Sequence, residues 1–537
     1  MSARLNTELP FEKHTKMLLG MKRFREALLV CLKWVEAQPG SASAWFFKSF
    51  AETNAHQPNS ALASIDRALQ IKPGNLLMLA QRAQILGIIG HSRECLETLD
   101  HLVAADNLPR SLLHQVGTTY NNIGEHDKAV SLLEQVRAAE PGNAANLVSL
   151  GTAYHILGRS DEAWKAQRTA IELEPKNFRA YWLLGQMRRA TTADNEVEFF
   201  TRTLQQHPDN LQARICLNFA LAKQYEELER FDEAFQSLQR GSAAVLEHTP
   251  SDEQRDRKLH STILDAFDAE FCAAPERGCD SPDPIFILGM PRTGTTLLEQ
   301  ILTTYDDIDS AGELHHFGHL LNQACAAFKP DADTYALYQA TTELDWRVLG
   351  QSYLAAARHH VADRPRFIDK YPLNFLFVGP ILRALPNARI INLQRNPMDT
   401  CFSNYKLLYR LGSALHTYDL QTMARYYCRY REMMEHWHGC LPGRVLDVSY
   451  ESLVTEPEAE TRRVAEFLEL EWQPECLEFY RAGGAVATAS TTQVRRPINT
   501  DSLYKWQKFA SHLTALTDVL REQGAGGRSQ AGQQPGG

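Results

Sequence analysis

Apolar residues in the second half of the chain form short runs that alternate with helical patterns. The first run, Ile285–Leu288, contains four consecutive apolar residues and predicts a short buried strand. Leu297, Leu298 and Ile301 follow at helical spacing and predict a helix. Further strands are predicted within Arg366–Asn374, a stretch whose strand ends in charged residues, and at Ala388–Leu393 and Arg444–Ser449. Strands and helices that alternate at this spacing predict an α/β domain with a central parallel sheet and right-handed crossovers.

The loop between the first strand and its helix, Gly289–Thr296, predicts an anion site. Gly289 and Gly294 frame a turn whose backbone can approach a ligand closely. Backbone N–H groups at the start of the helix favour a phosphate or sulfate there. The spacing matches a nucleotide-binding P-loop, but Thr295 occupies the lysine position, which argues against ATP or GTP hydrolysis. Arg292 supplies a positive charge from another angle, so a P-loop-like anion loop is favoured over an ordinary βα turn.

The first half of the chain repeats itself with a period of 34 residues. Small residues recur at one position of the repeat: Ala27, Ala61, Cys95, Ala129 and Ala163. Prolines recur at another: Pro39, Pro73, Pro141 and Pro175. Glycines mark a third position: Gly117, Gly151 and Gly185. Coincident ladders of this kind favour stacked helical hairpins over a non-repeating helical bundle.

A period of 34 with small residues at helix crossings is typical of the tetratricopeptide repeat (TPR), and Asn146–Pro175 resembles that family closely. We expect about seven hairpins over residues 8–245, forming an α-solenoid. Such a stack presents a concave face that commonly binds a peptide or a partner helix, so binding is its expected function. The remaining divisions are expected to be a helical linker (246–283), an α/β domain (284–522) and a disordered Gly/Gln-rich tail (523–537).

Glu313 follows a second short predicted strand and is a candidate general base. A carboxylate just beyond a strand of an α/β fold faces the same crevice as the anion loop. Taken alone, a glutamate favoured by the dipole at a helix N-terminus explains this residue better. His315, His316 and His319 could suggest a metal, but a full ligand set is not visible, so core or surface histidines are favoured.

Positive charge is concentrated between Arg366 and Arg410, a stretch that contains seven Lys or Arg residues and two Asp residues. The local balance is therefore +5, in a chain whose net charge is −9. This concentration favours a small polyanionic ligand. Lys370 and Arg395 both follow predicted strands, and open α/β sheets bind their ligands at that end.

Composition narrows the class of protein further. The mild net charge and the lack of a long basic run argue against nucleic-acid binding. The N-terminus lacks the apolar core of a signal peptide, and no apolar run is long enough for a membrane span. Ten scattered cysteines are expected to be free thiols, which favours a cytoplasmic location. A homodimer is compatible with the sequence, which does not define the oligomeric state.

Taken together, these residues resemble a sulfotransferase. Pro291–Thr296 resembles the 5′-phosphosulfate loop of that superfamily, and Arg395-Asn396-Pro397 with Ser403 resembles its 3′-phosphate motif. Arg366–Tyr405 and Ser490–Trp506 are similar to bacterial TPR-containing sulfotransferases, and more distantly to tyrosylprotein sulfotransferases. The two phosphate motifs, about a hundred residues apart and in the right order, are specific when taken together.

The resemblance implies 3′-phosphoadenosine 5′-phosphosulfate (PAPS) as the cofactor and names the residues of its site. The 5′-phosphosulfate end is assigned to Arg292, Thr293, Gly294, Thr295 and Thr296. The 3′-phosphate is assigned to Arg395 and Ser403, and the residues that close over the cofactor are Ser490 and Lys505. Glu313 stands at the catalytic glutamate, and Lys370 at a lysine near the leaving oxygen. Two departures are Thr293 in place of the usual serine and Asn396 in place of the common aspartate.

The expected function is transfer of a sulfuryl group from PAPS to a hydroxyl. Arg292 and Lys370 would stabilise the leaving oxygen, and Glu313 would take the acceptor's proton. A sulfonate carries less charge than a terminal phosphate, so no metal is required. A peptide tyrosine, a sugar, a lipid and a small metabolite all remain open as the acceptor, and the repeats favour a peptide or protein. The alternatives are a P-loop kinase, and a TPR scaffold beside a non-catalytic or nucleotide-binding domain.

Overall fold

The computed structural model describes residues 5–55, 57–105, 108–274, 278–328, 338, 341, 344–361, 364–410, 412–481 and 496–524. The chain forms two compact units, Met1–Leu173 and Glu174–Gly537. Among the helices described, none is both long and apolar enough to cross a membrane.

The first unit consists of ten helices in the described part of the chain. They are α1 (Leu5–Gly20), α2 (Phe24–Ala37), α3 (Ala42–Asn54), α4 (Pro58–Ile71), α5 (Leu76–Ile89), α6 (Ser92–Val103), α7 (Arg110–Asn122), α8 (His126–Ala139), α9 (Ala144–Ile156) and α10 (Ser160–Leu173). Helices that follow one another along the chain pack against each other.

The repeating residues have the packing role that their spacing predicts. All five members of the small-residue ladder are fully buried: Ala27, Ala61, Cys95, Ala129 and Ala163. A Cβ added to Gly117 would lie 2.9 Å from Leu133, and one added to Gly151 would lie 2.8 Å from Gln167. The two helices of a hairpin therefore approach each other too closely for a larger residue. The prediction of TPR-like repeats is confirmed.

The turns between hairpins also repeat in the first unit. Ser41, Asn75 and Asn143 are spaced by one and two repeats, and each caps the first helix of a hairpin. Each side chain accepts a hydrogen bond from the amide three residues later. Caps of this kind satisfy amides that would otherwise lack a partner at the helix start.

The second unit begins with four helices: α11 (Phe178–Met187), α12 (Val197–Gln206), α13 (Leu211–Glu227) and α14 (Phe231–His248). Two shorter helices follow, α15 (Glu253–Ala266) and α16 (Ala269–Ala273). Helical hairpins thus continue into the compact unit that contains the sheet.

The rest of the second unit is built on a sheet of five parallel strands. The strands are β1 (Pro284–Gly289), β2 (Ile308–Ser310), β3 (Arg366–Asp369), β4 (Arg389–Gln394) and β5 (Val445–Ser449). Their order in the sheet is β2-β3-β1-β4-β5, with β1 in the centre. The prediction of an α/β domain with a central parallel sheet is confirmed. The carboxyl ends of all five strands lie at one edge, where open sheets bind ligands.

The sheet is buried on both faces, as its continuous apolar strands predict. Phe286 and Leu288 of β1 pack into a core on one face, which also includes Phe219 and Phe235 from α13 and α14. Ile285 and Ile287 pack into a separate core on the other face. Successive side chains of a strand point to opposite faces, so one short strand contributes to both cores.

Helices around the sheet complete the unit. They are α17 (Thr295–Leu302), α18 (His316–Phe328), α19 (Trp346–Arg358), α20 (Val378–Ala384), α21 (Pro397–Tyr405), α22 (Leu420–Cys440), α23 (Tyr450–Thr455), α24 (Pro457–Phe467) and α25 (Thr514–Glu522). Four 3₁₀ segments occur among the described residues: Pro372–Phe377, Leu415–Tyr418, Pro474–Arg481 and Lys505–His512. The segment after β3 is a 3₁₀ turn that leads directly into α20.

Candidate active site

The loop between β1 and α17 adopts a backbone that depends on its glycines. Gly289, Arg292 and Gly294 have φ values of 140°, 72° and 103°. A Cβ on Gly289 would lie 2.5 Å from the carbonyl oxygen of Leu393, and one on Gly294 would lie 2.4 Å from Cδ2 of Tyr450. Arg292 is a non-glycine residue in the left-handed region, a strained backbone that often accompanies a functional site.

Hydrogen bonds from inside the loop and from α21 fix its shape. The Thr293 hydroxyl donates to the carbonyl of Met290 at 2.8 Å. The amide group of Asn404 donates to the carbonyl of Pro291 at 2.8 Å. Thr295 and Thr296 are buried where α17 begins, and the first amides of that helix carry its partial positive charge. The loop thus presents the N-terminal end of a helix within a rigid frame, a geometry that suits an anion.

Two guanidinium groups meet beside this loop. Arg292 Nε lies 3.4 Å from the hydroxyl oxygen of Ser403. Arg395, which follows β4, donates from Nη1 to the Arg292 carbonyl at 3.0 Å, and its guanidinium lies 4.7 Å from the ring centre of Tyr450. Burial lowers the pKa of Arg292, and the positive charge of Arg395 lowers it further. An anion bound here would offset that unfavourable concentration of charge.

Arg395 provides a direct test of whether the pocket fits an anionic group. Its Nε atom is buried and has no hydrogen-bond partner among the described residues. A buried donor without an acceptor is costly unless a ligand supplies the acceptor. The residues present therefore fit the phosphate that the sequence assigns to Arg395 and Ser403.

Glu313 and Lys370 form an ion pair at the same edge of the sheet. Lys370 Nζ donates to Glu313 Oε1 at 2.6 Å and lies 3.8 Å from Glu299 Oε2. The Lys370 side chain is 1% exposed, whereas that of Glu313 is 46% exposed. The ammonium group is therefore enclosed by protein, and the carboxylate of Glu313 is open to solvent. Burial raises the pKa of Glu299.

Backbone contacts hold Glu313 and Lys370 together. The amide of Lys370 donates to the carbonyl of Gly312 at 2.9 Å, which extends the pairing of β2 with β3. The amide of Leu314 donates to Asp369 Oδ1 at 3.4 Å, and the Tyr353 hydroxyl donates to Asp369 Oδ2 at 2.7 Å. Asp369 is fully buried, and burial raises its pKa to about 7. Its carboxyl group thus links the Glu313 loop to β3 and α19.

The remaining residues of the sequence prediction are placed as follows. Lys505 begins a 3₁₀ segment, and burial and the charge of Lys406 lower its pKa. Ser490 lies outside the described residues. His315 packs against the ring of Tyr371 with centroids 4.3 Å apart, and His316 Nε2 lies 3.0 Å from His360 Nε2. No group of three or more His, Cys, Asp or Glu side chains suited to a metal occurs in the described part of the chain.

Sequence reasoning missed several residues that the fold brings to this edge. Tyr450 follows β5 directly and packs on Gly294, and its place after a strand was the signal that could have identified it. Asp369 likewise ends β3 immediately before Lys370. Glu299 carried no such signal, because a glutamate one turn into a helix is ordinary.

Comparison with known proteins agrees with this architecture. Residues 284–474 match the model of the sulfotransferase family, and residues 50–184 match the N-terminal TPR repeats region of Psidin. The chain thus combines TPR-like repeats with a region that matches the sulfotransferase family model.

Several individual proteins are similar to parts of the chain. An uncharacterized protein of Aquifex aeolicus (strain VF5) is 34% identical over 336 residues, which are 61% of this chain and 44% of that protein. The protein-tyrosine sulfotransferase of Drosophila melanogaster is 26% identical over 242 residues, which are 41% of this chain and 46% of that protein. This chain therefore spans about half the length of these curated relatives. The sulfotransferase domain of the Synechococcus PCC 7002 olefin synthase aligns with a TM-score of 0.32 and 20% identity, covering 43% of this chain and 90% of that domain.

Proposed function

We propose that the protein is a sulfotransferase that moves a sulfuryl group from PAPS to a hydroxyl acceptor. The observation that carries this proposal is the meeting of Arg292, Arg395 and Ser403 at the sheet edge that also holds the Glu313–Lys370 pair. One adenosine donor with phosphate groups at both ends would account for two adjacent cationic positions.

The residues divide into two binding sets. Arg292 and the amides of the loop at 292–296 hold the phosphosulfate end, where charge builds on the leaving oxygen. Arg395 and Ser403 hold the 3′-phosphate, and the unpartnered Nε of Arg395 accounts for one of its hydrogen bonds. Lys505 lies on the segment that closes this end of the site, a role that Ser490 shares in the sequence prediction. PAPS supplies the sulfuryl group, and the cationic positions replace a metal ion.

Glu313 acts as the general base. Its exposed carboxylate accepts the proton of the acceptor hydroxyl as that oxygen attacks sulfur. Lys370 occupies one carboxylate oxygen of Glu313 and places a positive charge beside the transferring group. Correct alignment of acceptor and donor is the main requirement for a transfer of this type.

The acceptor is a peptide or protein, with tyrosine as the first candidate. The match to relatives named protein-tyrosine sulfotransferases and the TPR-like repeats both support this choice. The repeats would bind the acceptor or a partner, and the enzyme would act in the cytoplasm, as a monomer or a homodimer.

The decisive experiment supplies the purified protein with PAPS labelled in its sulfuryl group and a host lysate. We expect label to appear in protein, and alkaline hydrolysis, which spares the acid-labile aryl sulfate ester, to leave it on the oxygen of tyrosine. Tight binding of 3′,5′-bisphosphoadenosine and weak binding of AMP should accompany transfer. Magnesium-dependent ATP turnover without labelled product would refute the proposal and favour a P-loop kinase.

A further inference from the structure

A C-terminal segment crosses the part of the site assigned to the 3′-phosphate. We call residues 502–512 the strap. Arg395 donates from Nη2 to the carbonyl of Ser502. The carboxylate of Asp399, in α21, accepts hydrogen bonds from the amides of Tyr504 at 2.7 Å and Trp506 at 3.2 Å. The strap is thereby fixed on one side to the helix that carries Ser403.

The other side of the strap packs on a helical hairpin. We call residues 226–235, which join α13 to α14, the hairpin tip. Phe509 packs edge-on against Phe231 with ring centroids 5.2 Å apart, and against Phe402 of α21 at 4.7 Å. His512 stacks on Phe235 at 4.6 Å, with ring planes 13° apart. The aromatic residues of the strap are thus held between the hairpin tip and α21.

Charged pairs reinforce this packing. His512 Nε2 lies 2.6 Å from Asp232 Oδ1. Lys406, directly after α21, donates to Glu226 Oε1 at 2.6 Å. All these contacts involve the same end of the hairpin, and α13 and α14 are, at 17 and 18 residues, the longest helices between Leu5 and His248. The additional turns of α13 and α14 place the hairpin tip beside the strap.

The strap has little structure of its own to keep it in place. It is a 3₁₀ turn, whose hydrogen bonds are weaker than those of an α-helix. It is entered through Tyr504, whose φ of 55° is unfavourable for a residue with a side chain. Its position therefore depends on the contacts it makes on both sides.

We propose that the hairpin tip is a working part of the donor site, because it presses the strap against α21 over the pocket of Arg395 and Ser403. The inference rests on the proposed function, since it concerns binding of the same donor. Phe235, Asp232 and Glu226 are positioning residues in this scheme, and they act through His512 and Lys406.

The test compares two identical substitutions in stacked aromatic pairs. Phe235→Leu removes the stack on His512 but keeps an apolar side chain of similar volume. Phe199→Leu is the matched control, because Phe199 of α12 stacks on Tyr181 at 5.3 Å and does not belong to the tip. The dissociation constant for 3′,5′-bisphosphoadenosine is measured by calorimetry, and kcat and KM for PAPS by steady-state kinetics.

We expect Phe235→Leu to raise the dissociation constant and KM by about three- to tenfold, the range for loss of one aromatic pair. Its kcat should stay within twofold of wild type, because the residue does not touch the reacting groups. Phe199→Leu should change neither constant. Phe235 is 3% exposed and Phe199 is only partly buried, so Phe235→Leu should lower Tm more. A merely structural effect is recognised instead by a fall in kcat that accompanies the rise in KM.

Hydrogen exchange on the wild-type protein provides a second measurement that needs no variant. The bisphosphate should slow exchange in the strap and in the hairpin tip together; protection of the strap alone would overturn the inference. So would equal binding by the two leucine variants while the wild type binds tightly. A wild-type protein that does not bind the bisphosphate would refute the proposed function itself, and the inference with it.

Discussion

At the scale of single residues, the charge balance around Lys370 explains why its ion pair with Glu313 is stable. A buried ammonium group is costly unless it is paired, and Lys370 has Glu313 at 2.6 Å and Glu299 at 3.8 Å. Burial raises the pKa of Glu299, which favours its neutral form. Lys370 and Glu313 then form a neutral pair, and Glu313 is the member that is open to solvent.

Replacement of Glu313 by glutamine tests its role as the base. The amide oxygen can still accept the hydrogen bond from Lys370, so the site should keep its shape. We expect kcat to fall by ~10²–10⁴-fold. The dissociation constant for 3′,5′-bisphosphoadenosine should stay within about twofold, because Glu313 does not belong to the phosphate pockets. Steady-state kinetics and calorimetry provide the two measurements.

Asp306→Asn is a suitable control for this substitution. Asp306 is exposed shortly before β2, and its replacement removes the same charge from the same region of the chain. It should leave both constants unchanged. Full turnover by the Glu313→Gln variant would remove Glu313 from the mechanism and leave His315 or His316 as the base.

Asp369 should make stability depend on pH in an unusual direction. Burial raises the pKa of its carboxyl group to about 7, whereas the unfolded chain titrates near 3.8. Between these values the folded chain holds one proton more than the unfolded chain, so stability falls as pH rises, by at most about 1.4 kcal/mol per pH unit. The asparagine side chain of the Asp369→Asn variant does not titrate, so the variant lacks this pH dependence. From pH 5 to 8 the Tm of the wild type should therefore decrease relative to that of the variant.

Tyr353→Phe is the companion variant for the pH experiment. The Tyr353 hydroxyl donates to Asp369 and favours its ionised form. Without that hydroxyl the carboxyl group should ionise at higher pH, so the decrease in Tm should extend to higher pH. Parallel pH curves for the wild type and Asp369→Asn would show that Asp369 does not titrate in this range.

At the scale of elements, local pattern was sufficient for the anion loop but not for its surroundings. The apolar run of β1, the glycines of the turn and the helical spacing after Thr295 all lie within one stretch of chain, so the pattern predicts them together. Tyr450 lies about 150 residues further on and meets Gly294 only because β5 joins the sheet beside β4. The hydrophobic periodicity of the sequence does not predict contacts that depend on the order of strands in the sheet.

Gly294→Ala measures how much the loop depends on that contact. The new methyl group would meet Tyr450 at 2.4 Å, at a φ of 103° that alanine rarely adopts. Gly124→Ala is the control, because Gly124 has a φ of 91° and nothing within 4 Å of an added Cβ. Both should lose about 1–3 kcal/mol through backbone strain. Only Gly294→Ala should also weaken binding of 3′,5′-bisphosphoadenosine, by more than about tenfold, as calorimetry would show.

Equal binding by the two alanine variants would contradict this prediction. It would mean that Tyr450 moves aside without disturbing the loop amides. The difference between the variants therefore reports on the packing of the loop against Tyr450, rather than on glycine flexibility in general.

At the scale of the whole molecule, the repeat pattern predicts the hairpins but not how the chain divides into units. Residues 174–248 continue the helical pattern, yet they form one compact unit with the sheet. The reason lies in long-range contacts such as Phe235 with His512 and Glu226 with Lys406. These pairs are 277 and 180 residues apart in sequence, so no periodicity reveals them. The positions of Lys370 and Arg395 at strand ends, in contrast, follow from the strand pattern alone.

This division predicts that donor binding and core substitutions act on separate unfolding transitions. A ligand that binds only the folded form of one unit stabilises that unit, by about 2.7 kcal/mol at a hundred times its dissociation constant. We therefore expect 3′,5′-bisphosphoadenosine to raise the midpoint temperature of one unfolding transition, that of Glu174–Gly537. Scanning calorimetry would show the shift. Leu99→Ala in α6 should lower the free energy of unfolding of the first unit by about 2–5 kcal/mol, because Leu99 is fully buried there. It should leave binding of the bisphosphate unchanged.

The matched substitution is Leu238→Ala in α14, which is equally apolar and 2% exposed. It also lies in a repeat-like helix, but in the unit that contains the sheet. It should lower the midpoint temperature of the same transition whose midpoint the ligand raises. It should also weaken binding of the bisphosphate, because its helix carries Phe235. If Leu99→Ala and Leu238→Ala instead shifted the same transition, and the ligand opposed both equally, the repeats and the sheet would unfold as one cooperative body.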